Sequence, residues 1–226
     1  MKEISKRKET ITATIREQGK LTPELQKRIE ETWDSTEIED IYLPYKPKRV
    51  TRAEIARKKG LEPLAKIIMA QNGDGLPSRM SRFINDEVKD ETEALQGARD
   101  IIAEWISENE SARNSIRDSF AHTAIISSKV IKGKEEDGAK YRDYFDFKEP
   151  LRRCSSHRLL ALRRGEADGF LRVSISPDSD SCVERLRRRF VKGAGDCSEQ
   201  VSIAVNDSFK RLLKPSIETE FAGQSK

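Results

Sequence analysis

Cys154-Ser155-Ser156-His157 sets two kinds of nucleophile beside one of only two histidines in the chain, the residue types from which acyl transfer is built. Neighbours in sequence seldom reach each other productively, no third group is suggested to orient the histidine, and the Gly-x-Ser-x-Gly turn is absent. The expected use of this run is a helix cap followed by a packed or solvated histidine. His122 stands alone near a helix end and is expected to be structural as well. Cys154, Cys182 and Cys197 are odd in number and lack Cys-x-x-Cys spacing, which predicts free thiols rather than disulfides or zinc. Gly133-Lys134-Glu135-Glu136-Asp137-Gly138 has neither P-loop spacing nor the alternating ligands of an EF-hand. With no carboxylate cluster at metal-ligand spacing, no catalytic, cofactor or metal residue is assigned and none is expected.

Phosphate binding is the chemistry that the charge pattern suits. Residues Glu30, Glu31, Asp34, Glu37, Glu39 and Asp40 come without a base, whereas Lys46, Lys48, Arg49, Arg52, Arg57, Lys58 and Lys59 follow with Glu54 alone against them. Such a switch in sign makes a directed local field. Lys46, Lys48, Arg49, Arg52, Arg57 and Lys58 are therefore candidates to neutralise phosphates and release their counterions. Tyr42 and Tyr45 beside them are candidates for base stacking, worth about 1–3 kcal/mol per base. The competing reading folds the arm back onto the acidic helix and packs both tyrosines as core. Arg185, Arg188 and Arg189, with Arg187 and Lys192, form a second basic run around Leu186 and Phe190, and Arg152, Arg153, Arg158, Arg163 and Arg164 form a third.

Helices must position these charges. Ile4, Ile11 and Ile15 share one face; after Gly19, Thr22 caps, Pro23 starts a helix, and Leu25, Ile29 and Trp33 are expected to line its stripe. Pro44 and Pro47 predict a rigid non-helical connector over Leu43 to Lys48, and Thr51-Arg52-Ala53-Glu54 predicts a capped helix that Gly60 closes. From Glu91 to Asn109 apolar residues recur at three and four, with Glu93, Asp100 and Glu104 expected to face away. Ser111 is read as capping the next helix, and Ser156 as capping a helix over 157–164 that Gly165 stops, although Leu160 and Leu162 also fit a strand. Leu171, Val173 and Ile175 alternate with polar residues as a strand over 170–176, and 124–131 is its natural partner. Helices over 181–191 and 199–213 follow, the last broken at Lys214-Pro215. The fold class is mainly α, a multi-helix array with helix-turn-helix-like pairs around Gly19 and Gly60 and a small β element. The glycine-rich turn at 72–75 suggests a first subdomain, 1–72, carrying the cationic arm at 44–52, and a second, 73–226.

Charged residues make up 36% of the 226 and aromatics only 6%, a balance that suits helices with solvated faces. The net charge of +4 does not by itself announce a nucleic-acid binder, so placement has to carry that argument. No apolar run approaches the ~20 residues needed to cross a bilayer, and the polar start lacks a secretory segment; a cytoplasmic protein with no membrane partner is expected.

The Pro-rich arm, Asp40 to Arg49, runs into Ala53, Ala56-Arg57 and Gly60-Leu61-Glu62-Pro63-Leu64-Ala65. Further blocks are Gly97 to Glu104, Lys129 to Phe145, and Ser156 to Leu162 with Arg164-Gly165-Glu166. In this order they resemble the helical N-terminal region of the Tex family of bacterial transcription accessory proteins. The resemblance covers most of the chain. It implies a non-catalytic part of a protein that binds nucleic acid, RNA above all or another single strand, in connection with transcription, with no small-molecule substrate. The alternative is a scaffold that docks on RNA polymerase or on other domains of its own chain. The family's RNase H-like, helix-hairpin-helix and OB-fold domains find no counterpart in these residues, so the chain is expected to be an excised piece, Met1 an added start and Gln224-Ser225-Lys226 a cut end. Gly133 to Gly138 lies inside one of these blocks and is read as a structural turn.

Overall fold

Helices begin where short polar side chains can accept from free N–H groups of a first turn. In the computed structural model, which describes residues 1–47, 50–73 and 75–224, Thr22, Asp34, Thr51 and Asp90 cap α2 (Pro23–Glu31), α3 (Ser35–Tyr42), α4 (Arg52–Lys58) and α7 (Glu91–Glu108). With α1 (Lys2–Glu17), α5 (Glu62–Ala70) and α6 (Leu76–Met80) they form the greater part of one compact unit, Met1–Ala112 with Lys192–Ala204. Ile11, Ile15, Leu25, Ile29, Ile38, Ile41 and Tyr42 make the core of α1 to α3. Gly19 and Gly60, with φ of 69° and 76°, turn α1 into α2 and α4 into α5, as the helix-pair reading expects. Gly73 and Gly75 both belong to this unit.

The second unit is Arg113–Val191 with Val205–Lys226. Its three-stranded antiparallel sheet has the order β2 (Asp146–Pro150), β1 (Ile125–Val130), β3 (Leu171–Ser176), so the segment at 124–131 is a strand and pairs with 171–176 as expected. One sheet face packs on α9 (Ser156–Ala167) and on a 3₁₀ turn, Ala139–Tyr144, through Ile126, Tyr141, Leu162 and Leu171. Helix α8 (Glu110–Thr123) precedes the sheet and α10 (Ser179–Phe190) follows it; α11 (Asp196–Asp207), most of whose residues belong to the first unit, leads in the chain to a π-helical turn (Ser208–Leu213) and α12 (Lys214–Gln224). Arg113 and Arg117 of α8 both reach Glu220 of α12, at 2.8 and 2.9 Å, and Phe120 stacks near Phe221.

Several expectations are corrected. Trp33 lies beyond the end of α2 and is 52% exposed, because Asp34 caps a new helix at once and Thr32 is already extended. Leu43–Tyr45 is a 3₁₀ turn rather than a non-helical connector, since Pro44 at the start of a turn gives up no hydrogen bond; Lys46, before Pro47, is extended. Asn109, not Ser111, caps α8 by accepting from Ala112 N–H at 2.9 Å. Ser155, not Ser156, caps α9, and Gly165 does not stop it, for the helix runs to Ala167 and turns at Gly169. Pro215 ends no helix: the chain passes through the π turn into α12 and stays helical.

Gly165 is there for packing. A Cβ at this position would lie 2.4 Å from Leu171 Cδ1 and 2.8 Å from its Cγ. Gly165→Ala is therefore expected to lose about 1–2 kcal/mol in urea unfolding, overpacking outweighing the roughly 0.5–1 kcal/mol that Ala ordinarily gains in a helix. Burial opposes the Glu220 charge, but hydrogen bonds from Arg117 and Arg113 prevail and hold its pKa below the ordinary 4.5. Stability from that carboxylate is complete above pH 4.5 and lost as pH falls through the lower folded value. Glu220→Gln should melt earlier at pH 7, and thermal scans should show the gap to wild type closing below pH 4.5.

Candidate nucleic-acid interface

The arm starts against the α1 to α2 corner, where Gln18 donates to the Tyr45 carbonyl at 2.6 Å. Tyr42 is buried in the α1 to α3 core, with the Arg7 guanidinium 5.3 Å from its ring centre, and Tyr45 is half-buried against the same cluster. Lys46 is exposed at the start of the arm; Lys48 and Arg49 lie outside the described residues. Thr51 accepts from the Glu54 N–H at 3.1 Å and so starts α4. Ala53 and Ala56 face inward, leaving Arg52 and Lys58 exposed with no ion-pair partner among the described residues.

Arg57 behaves differently. It lies 2.9 Å from Glu104 and 3.6 Å from Glu54, and Thr51 donates to Glu104 at 3.2 Å. Burial works against the Arg57 charge, yet the hydrogen bond and attraction of Glu104 prevail and raise its pKa. Asp100 and Glu104 are only 8% and 7% exposed, contrary to the outward placement expected of them. Helix periodicity marks one apolar face, but α7 is covered over a wider arc, so its carboxylates enter the interface and need partners. Tyr45, Lys46 and Arg57 meet in one cleft of about 550 Å³, together with Lys20 and Trp105, but Glu54, Glu62 and Glu108 share its walls.

In the second unit, α10 buries Cys182 and Leu186 and turns its basic residues to different uses. Arg185 reaches the Ser119 hydroxyl at 3.3 Å, Arg187 reaches Asn206 at 3.3 Å, and Arg188 pairs with Glu184 at 3.4 Å. Arg189 is exposed and has no ion-pair partner among the described residues. In the third basic run Arg158 pairs with Glu149 and Arg163 with Glu166, while Arg152 and Arg153 are exposed. The Cys154 thiol is pushed up to about 11 by burial and by Glu149, so it is protonated at neutral pH. Ser155 spends its oxygen as a cap, accepting from Arg158 N–H at 3.3 Å, and His157 is exposed. Among the described residues no three His, Cys, Asp or Glu side chains group as metal ligands, and no helix is long and apolar enough to cross a membrane.

Sequence reasoning passed over Lys129, Lys132 and Arg172, which share a cavity on the sheet. The signal was present: alternation in β3 sets Arg172, Ser174 and Ser176 on one face, and pairing with 124–131 brings Lys129 beside them.

Charged helices together with one small antiparallel sheet make this a mainly α module. Residues 77–224 match the family model described as Tex central region-like, and the chain belongs to that family. It is 45% identical over 194 residues to Protein tex of Bordetella pertussis, covering 82% of this chain and 24% of that protein. Transcriptional accessory protein Tex of Neisseria gonorrhoeae is 39% identical over 180 residues, 80% of this chain and 24% of its own length. S1 RNA-binding domain-containing protein 1 of Pongo abelii is 26% identical over 241 residues, 98% of this chain and 24% of its own length. The chain thus spans about a quarter of the length of these relatives.

The two kinds of cation on α4 should separate in urea titrations. Arg57→Ala, which strips the cation from a buried carboxylate, is expected to cost about 2–3 kcal/mol, less than for a fully buried pair because Arg57 keeps some contact with water. A double-mutant cycle with Glu104→Ala should return a coupling of about 1–2 kcal/mol. Lys58→Ala should stay within about 0.5 kcal/mol of wild type.

Proposed function

We propose that this chain gives a Tex-type transcription accessory protein a non-catalytic, sequence-independent hold on single-stranded nucleic acid, RNA first, in the cytoplasm. The contacts are phosphate contacts from Lys46, Lys48, Arg49, Arg52 and Lys58 of the arm, with Arg185, Arg188 and Arg189 of α10 contributing; Arg57 holds the arm's helix in place through Glu104. The observation that carries the reading is that Lys46, Arg52 and Lys58 are exposed without an ion-pair partner among the described residues, while Arg57 and Lys59 of the same basic stretch are paired with Glu104 and Glu93. An unpaired exposed cation keeps its whole charge for a phosphate and breaks no existing ion pair to reach it. The names of the relatives, one a transcriptional accessory protein and one an S1 RNA-binding domain-containing protein, point the same way. Of the two tyrosines, Tyr45 is the stacking candidate, since Tyr42 is only 7% exposed.

A second reading is a docking scaffold for transcription machinery or for other parts of the same protein. It draws on the exposed apolar side chains of Leu160 and of Trp33, the latter with the Lys8 ammonium 3.8 Å from its ring centre, which phosphate binding does not use.

Fluorescence anisotropy of the 226-residue chain with labelled single-stranded RNA separates the two. Lys46→Ala, Lys48→Ala, Arg49→Ala and Arg52→Ala together should weaken binding and lower the slope of log affinity against log salt by about 3, at roughly 0.7 per phosphate contact. Circular dichroism should be unchanged. An unaltered slope removes the arm from the interface, and no binding by the unsubstituted chain at low salt leaves the scaffold reading.

A further inference from the structure

The side of the small sheet turned away from its core gathers cationic and hydroxyl side chains in one cavity. Ile126 of β1 and Leu171, Val173 and Ile175 of β3 pack inward, so the alternate residues Ser127, Lys129, Arg172 and Ser174 lie on the opposite face. The antiparallel register sets Lys129 opposite Arg172 and Ser127 opposite Ser174, with the two serine hydroxyls 2.8 Å apart. Lys132 follows just past the end of β1. All five line one shallow cavity of about 340 Å³, and no carboxylate is in its wall. Lys129, Lys132 and Arg172 are exposed and have no ion pair among the described residues; Asp146 stands across from Lys129 on β2 without pairing to it.

This combination differs from the other clefts. Glu54, Glu62 and Glu108 enter the cleft at the arm, and Asp180 and Glu184 enter the cavity beside α10. Like charges directly opposite each other on paired strands work against the pairing. An anion seated between Lys129 and Arg172 reverses that repulsion, and the two adjacent hydroxyls offer it neutral donors. Lysine, arginine and serine are the side chains that position phosphate oxygens. The wall holds no aromatic ring and so offers nothing on which a base would stack.

We propose that Lys129, Lys132 and Arg172, with Ser127 and Ser174, form a second contact for the phosphodiester backbone of single-stranded RNA, one that reads charge and not sequence. The proposal rests on the nucleic-acid reading given above and adds a site on residues separate from the arm. Anisotropy titrations with the same RNA over a range of salt test the two independently. Lys129→Ser, Lys132→Ser and Arg172→Ser together should lower the salt slope by about 2, three charges at roughly 0.7 each. Ser127→Ala with Ser174→Ala should weaken binding severalfold and leave the slope unchanged. Photo-cross-linking of the unsubstituted chain, which depends on no variant folding, should mark peptides covering 125–132 and 171–176. A slope lowered by the arm substitutions but not by those on the sheet, with no cross-links on these strands, would overturn the sheet site alone. Absence of RNA binding by the unsubstituted chain overturns both, as does retention by phosphatidylserine vesicles in place of RNA.

Discussion

A carboxylate enclosed between helices has to be met by a cation, and in the first unit Arg57 of α4 meets Glu104 of α7. Much of the local arrangement depends on that pair. Ala53 and Ala56 are small enough to let α4 lie close to α7, and Gly97 leaves the space that Leu61 fills; a Cβ there would be 2.3 Å from Leu61 Cδ1. Once Ala53, Ala56 and Arg57 face α7, the helical period turns Lys58 to solvent, and Arg52, at the first position of the helix, is exposed as well. The outward charge of α4 is thus a consequence of which cation the interface needs.

The same accounting runs through the second unit. Glu220 of α12 is held by Arg113 and Arg117, Glu149 by Arg158, and Glu184 by Arg188. With 43 basic and 39 acidic residues, the small net excess is far less informative than the question of which cations are left over. Lys46, Arg52, Lys58, Arg189, Lys129 and Arg172 are exposed and have no ion pair among the described residues, so an anion meeting them would break no existing pair. On the sheet the excess is produced by strand pairing itself, which brings Lys129 and Arg172 side by side from positions far apart in the chain.

Much of the fold was legible from residue patterns. Apolar spacing placed α7, Thr22 and Thr51 announced the starts of α2 and α4, and the alternation at 171–176 identified β3 and called for its partner at 124–131. What was misread has a common cause. Gly165 looks like a helix stop because glycine commonly is one, yet its role depends on Leu171 lying against it. Trp33 continues an apolar period past the point where the backbone has already left the helix. Asp100 and Glu104 carry charge, which ordinarily marks a solvated face, but the covered arc of α7 is wider than its apolar stripe. Of the candidate site, Lys46, Arg52 and Lys58 are exposed while Arg57 is paired with Glu104, and no sequence pattern separated the two kinds.

By itself the sequence determined the elements and the kinship: helix period, caps, strand alternation and ordered blocks shared with the Tex family all act over a few residues and survive being read in one dimension. The tertiary structure alone decided which charges are spent. Arg57 finds its acid 47 positions away and Arg113 finds Glu220 at 107, distances over which local patterns carry no information. Attraction between charges acts through space, so the cations available to a phosphate emerge only when the chain has folded and the paired ones are known.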